Sequence, residues 1–133
     1  MARWMRWCGP AVAVAALVLA GCADGERPAV ELVVSDFEAA LAGGEPGSAC
    51  RLLAPATRDA LEYQVSRPCA VALGQTSLPG GGVVDTAVWG GEAQVRTGGD
   101  TLFLTRTSRG WLIAAAGCRP QGEAPYQCRL EGP

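Results

Sequence analysis

The sequence predicts one α+β domain, helices first and an antiparallel meander of strands after them, and three observations lead there. Apolar residues recur with the helical period from Ala29 to Leu41. After Gly74 the spacing shortens to runs of six or seven residues rich in Val, Thr, Leu and Trp, parted by brief breaks of Gly, Ser, Arg and Asp. Within one run Ala93 and Val95 alternate with Glu92, Gln94 and Arg96, the pattern of a sheet wet on one face. Such a sheet needs a cover for its other face, and the preceding helices carry the apolar stripe to supply it.

Ala23 to Pro28 is polar and reads as a linker, residues 22–28 joining the leader to a single domain over residues 29–133. Val30, Val33, Val34, Phe37, Ala40 and Leu41 then fall on one helical face, with Glu31, Asp36 and Glu38 off it, and Gly43-Gly44 stops the helix. Pro46 and Ser48 open a second short helix carrying Cys50, Leu52 and Leu53. Pro55 or Thr57 opens a third with Leu61 and Tyr63, where Arg58 and Glu62 stand four apart. Pro68 breaks it, and Cys69 to Leu73 makes one more turn. Leu78 to Gly82 is a loop. Four strands follow, Val83–Trp89, Glu92–Thr97, Thr101–Thr107 and Trp111–Ala116, and the breaks between them are short enough for hairpins.

The start of the chain reads as an address. Arg3 and Arg6 precede Ala11 to Leu19, an uncharged apolar run of nine residues. Nine helical residues rise about 14 Å against a hydrocarbon core of roughly 30 Å, so the run is too short to span and fits a secretory signal peptide. Leu19-Ala20-Gly21-Cys22 resembles the lipobox of bacterial lipoproteins. The resemblance implies removal of residues 1–21 and a lipid anchor on Cys22, two acyl chains giving a hold that one does not. The expected place is then the outer face of the cell membrane. All eleven basic residues are Arg, and Lys and Asn are absent, a usage that points to a bacterium with GC-rich codons. Without the leader 112 residues remain, and loss of Arg3 and Arg6 takes the net charge from −2 to −4. An acidic domain with its Arg spread singly is not expected to bind nucleic acid, and anionic lipid would weakly repel it.

Cys8 leaves with the leader and Cys22 takes lipid, so Cys50, Cys69, Cys118 and Cys128 remain, an even number in an exported protein. Three pairings are possible. Local bracketing favours Cys50 with Cys69 and Cys118 with Cys128, each closure stabilising by roughly 3 kcal/mol. No two of these cysteines have the close spacing of a metal site, and no metal or cofactor is expected.

The chain has no His, which removes a His base, Ser-His-Asp and Cys-His systems and imidazole-bound zinc. Gly80-Gly81-Gly82 has no following Lys and is not a phosphate loop. Among the carboxylates only Asp85 stands inside a strand, where alternation could turn it inward. Tyr63, Trp89 and Trp111 complete a possible pocket around it. Helices followed by a curved antiparallel meander resemble the cone of nuclear transport factor 2-like, or cystatin-like, proteins, over about Ala29 to Leu130. The tail, with Gly110-Trp111, Ala115 to Pro120 and Pro125 to Cys128, resembles that of small uncharacterised actinobacterial lipoproteins, which supports the Cys118–Cys128 pairing. The functional expectation is a non-catalytic membrane-anchored module binding a small apolar ligand or a partner protein. The alternative is a small isomerase or dehydratase-like enzyme using a pocket carboxylate.

Overall fold

The structure is a computed structural model describing residues 21–133, with side chains from residue 25 onward. The signal peptide expected over residues 1–21, apart from Gly21, and the lipid site at the Cys22 thiol lie outside the residues so described. Four helices, α1 (Gly21–Ala42), α2 (Pro46–Cys50), α3 (Pro55–Val65) and α4 (Cys69–Gly74), precede five strands. These are β1 (Val83–Trp89), β2 (Glu92–Thr97), β3 (Thr101–Thr107), β4 (Gly110–Gln121) and β5 (Ala124–Glu131), forming one open antiparallel sheet in sequence order.

Helix α1 begins a full turn and more before the expected Ala29, so the segment read as a linker is helical. Pro28 lacks the N–H that would bond back one turn, and on local grounds it marks a boundary. Tertiary contacts override it: the Glu26 carboxylate is held by Trp111 and Arg106 from the sheet. Beyond Pro28 the apolar stripe buries as its period requires, with Val30, Val34, Phe37 and Ala40 in the core and Val33 and Leu41 packed at its edge. Each fully buried Val or Phe contributes about 1.5–3 kcal/mol on transfer from water.

The inner face of the sheet meets that stripe with Ala93 and Val95 of β2, Leu102 and Leu104 of β3, Trp111, Ile113 and Ala116 of β4 and Leu130 of β5. The outer face carries Gln94, whose amide donates to the Tyr126 hydroxyl at 3.2 Å, and Phe103, edge-on to Tyr126 with ring centroids 5.2 Å apart.

The sheet has a fifth strand where the sequence predicts four, and β4 is longer than expected. Gly117, Pro120, Gly122 and Pro125 read locally as breakers, yet each sits where the ladder tolerates it. Pairing of β4 with β3 ends at Ala115 with Phe103, so Pro120 lies on a stretch with one free edge, and Pro125 lies on the edge strand β5. Gly117 takes a φ of +66°, and its N–H and that of Cys118 are bonded by the Asp100 carboxylate at 2.9 and 3.0 Å. The side chain of Asp100 thus stands in for the strand partner that β3 has ceased to provide.

Leu52 and Leu53 leave the helix to which the sequence assigns them. The Ala54 N–H donates to the Ile113 carbonyl at 2.7 Å and the Ile113 N–H to the Leu52 carbonyl at 2.8 Å, so the segment satisfies the second edge of β4 before β5 takes over. Two disulfides lock the layers: Cys50–Cys69 ties α2 to α4 with Cα atoms 6.1 Å apart, and Cys118–Cys128 joins β4 to β5 at 3.9 Å.

Candidate functional site

Three parts of the chain converge beside the start of α1: the face of that helix bearing Glu26, Ala29 and Val33, the segment from Cys50 to Pro55 with the first turns of α3, and the β3–β4 hairpin. Glu26 organises the junction. Its Oε2 accepts the Trp111 indole N–H at 2.7 Å, and its Oε1 lies 3.1 Å from Arg106 Nη1. Trp111 is only 5% exposed, so this acceptor satisfies a donor largely withdrawn from water. The three parts enclose a cavity of about 920 Å³. That is within the roughly 300–1,000 Å³ of small-molecule sites.

The cavity has apolar walls and a charged rim. Ala29, Val33, Leu52 and Trp111 supply the walls, and Leu32, 60% exposed, stands at the opening. Arg51, Arg58, Arg106 and Arg109 line it together with Glu26, Asp59 and Glu62. Arg58 and Glu62 pair along α3 at 3.4 Å, and the same Glu62 oxygen accepts the Cys69 N–H at 2.9 Å, fixing α4 beside its disulfide.

A second cavity of about 570 Å³ lies under the loop before β1, among Phe37, Leu41, Leu73, Leu78, Glu38 and Asp100. Its carboxylates are structural fasteners. Glu38 Oε2 accepts the Gly82 N–H at 3.2 Å, while Oε1 is buried without a partner. Gly81, with φ +131°, passes so near Gly98 that an added Cβ would sit 3.1 Å from its Cα, and only glycine allows this approach. Asp100 accepts N–H groups from Thr101, Gly117 and Cys118. Burial pushes its carboxyl above the ordinary 3.8, outweighing the pull of those three donors and of the Arg129 guanidinium. Arg129 in turn donates to the Ser77 carbonyl, holding the loop to β5.

The residues expected to share a pocket are not brought together. Of the four, only Trp111 lines a cavity described here. Asp85 points into solvent and lies 3.5 Å from Arg96, its side chain 58% exposed. The strand alternation that was to turn it inward is reset by a register shift between Val83 and Asp85, which leaves Val84 and Asp85 both outside. Tyr63 is 87% exposed on the outer side of α3, and Trp89 is 51% exposed at the end of β1. Sequence reasoning missed Glu26, Leu32, Arg51, Arg106 and Arg109. The helical spacing of Glu26, Ala29 and Val33 was the available signal, and Pro28 masked it.

Among the described residues no group of three or more His, Cys, Asp or Glu side chains is placed to hold a metal ion, and no helix is long and apolar enough to cross a membrane. No protein-family model matches the chain, and neither a curated protein nor a solved structure proves similar to it.

Proposed function

We propose that the chain is an exported lipoprotein anchored through Cys22, whose domain binds a small apolar ligand without transforming it. The observation that carries the binding half is the cavity of about 920 Å³ at the start of α1, walled by apolar side chains and open beside the exposed Leu32. Support for the anchor comes from Leu19-Ala20-Gly21-Cys22 directly after a short apolar run. The two halves fit each other. Cys22 stands one turn before Glu26 in α1, a rise of about 6 Å, so an acylated Cys22 would set the cavity next to the lipid surface. We further propose that the helices over the bulged sheet are a five-stranded variant of the cone arrangement, since the register shifts in β1, β3 and β4 are the device by which strands bend.

The non-catalytic reading is supported by the employment of two carboxylates, the one inside strand β1 and the one half-buried just before β3. Asp85 is solvated beside Arg96, and Asp100, raised by burial, spends both oxygens on backbone N–H groups. An enzyme of the pocket-carboxylate kind would need a base free to take a proton.

Mass spectrometry of protein extracted from membranes tests the anchor. The expected species starts at an acylated Cys22, and the Cys22→Ser variant should leave the membrane fraction. Recovery of that variant in the membrane, cut from its leader, would sink the anchor.

A further inference from the structure

We infer that the cavity beside the start of α1 takes a single-chain anionic amphiphile drawn from the membrane, with its chain on the apolar walls and its acidic head at Arg51 and Arg109. This rests on the reading of that cavity as the binding site and adds the class of ligand. Charge placement carries it. After the leader the chain holds nine Arg, the eleven of the full sequence less Arg3 and Arg6, against thirteen acids. The cavity lining inverts that balance, with four Arg and three acids.

Two of the four cations are answered from within. Arg106 faces Glu26, whose other oxygen is taken by Trp111, and Arg58 faces Glu62. Among the described residues Arg51 has the Ser48 hydroxyl at 2.9 Å and no carboxylate, and Arg109 has no ion pair. Asp59 is the one acid of the lining left over. The rim is therefore positive by one on a domain negative by four, and weak repulsion of anionic lipid by the whole domain gives way to attraction at this opening.

A small free anion would use the rim and leave Leu32, Val33 and Leu52 wet. A neutral apolar molecule would fill the walls and leave Arg51 and Arg109 unanswered. An acid with an alkyl chain satisfies both. The volume suits one chain, being near the top of the roughly 300–1,000 Å³ range for a single small ligand.

The lipoprotein, reconstituted into nanodiscs of neutral lipid, is photolysed with dodecanoic acid carrying a diazirine or with the matching dodecanol, and the labelled peptides are mapped. Labelling of the peptides that hold Leu32, Val33 and Leu52 should be roughly tenfold stronger with the acid, as two exposed charge pairs would give. The double variant R51Q/R109Q should reduce acid labelling to the level of the alcohol and leave the alcohol unchanged. Equal labelling by both probes, indifferent to the Arg pair, would overturn the anionic assignment and leave the cavity as an apolar site. Competition by acetate as effective as by unlabelled dodecanoate would overturn the amphiphile in favour of a free anion. Failure of both probes to label these peptides would overturn the cavity reading itself.

Discussion

Replacing Glu26 with Ala removes a side chain that joins the first turns of α1 to the sheet, and its effect can be worked from two contacts. The larger is the Trp111 indole, 5% exposed and bonded to Glu26 Oε2 at 2.7 Å. A buried donor left without an acceptor costs about 1–3 kcal/mol. The smaller is the Arg106 pair at 3.1 Å, whose side chains are 56% and 30% exposed. Solvent screening holds such a pair to about 0–1 kcal/mol. Glu26→Ala should therefore destabilise by about 1–4 kcal/mol, and Arg106→Ala by less than about 1 kcal/mol. Glu26→Gln keeps an acceptor for the indole and should lose only about 0.5–1 kcal/mol. Urea unfolding measures all three, and a cycle with Trp111→Phe isolates the indole. With that donor gone, Glu26→Ala should fall to the size of the Arg106 effect. An undiminished loss in the Trp111→Phe background, or an Arg106→Ala loss as large as that of Glu26→Ala, would refute the reasoning.

Replacing both cysteines of either disulfide by Ser should lower the unfolding free energy by about 3 kcal/mol, from the entropy of closing loops of 19 and 10 residues. A loss below about 1 kcal/mol in urea would show that the bridges constrain little. Asp100→Asn places an amide N–H where Gly117 already donates, and should destabilise by about 1–3 kcal/mol. The pH dependence has a definite sign. Because the folded carboxyl is raised, its favourable contribution is full below 3.8 and is lost as pH rises through the folded value. The advantage of wild type over Asp100→Asn should therefore shrink as pH rises from 3.8 through the folded value, and an advantage that grows instead would mean the three N–H donors outweigh burial. Asp85→Asn should leave both the urea midpoint and probe labelling unchanged, since its carboxylate is solvated beside Arg96.

The sequence disclosed what depends on near neighbours. The stripe from Val30 to Leu41, the four strands and both disulfides follow from period, turn residues and local bracketing, and the structure has them. What it concealed depends on distant partners. The start of α1 needs Trp111 and Arg106, more than seventy residues away, to carry it through Pro28. The end of β4 and strand β5 need free edges for Pro120 and Pro125 respectively, which a linear reading cannot see. Leu52 and Leu53 exchange a helix for the open edge of β4. The cavity is built from three separate parts of the chain with no motif among them, and Trp111 alone was foreseen in it. Asp85 failed as a candidate for one local reason, a bulge that resets the alternation on which its inward aim depended.

Hydrogen exchange on the lipoprotein in neutral nanodiscs, with and without saturating dodecanol, tests most directly that the domain binds an apolar ligand at the start of α1. Protection should rise in the peptides spanning Ala29 to Val34, Arg51 to Pro55 and Arg106 to Leu112, and Val33→Trp or Leu52→Trp, filling the cavity, should abolish the rise. Protection that rises instead along β1 from Val84 to Trp89 or in the loop from Thr76 to Gly82, or that rises nowhere, would contradict it.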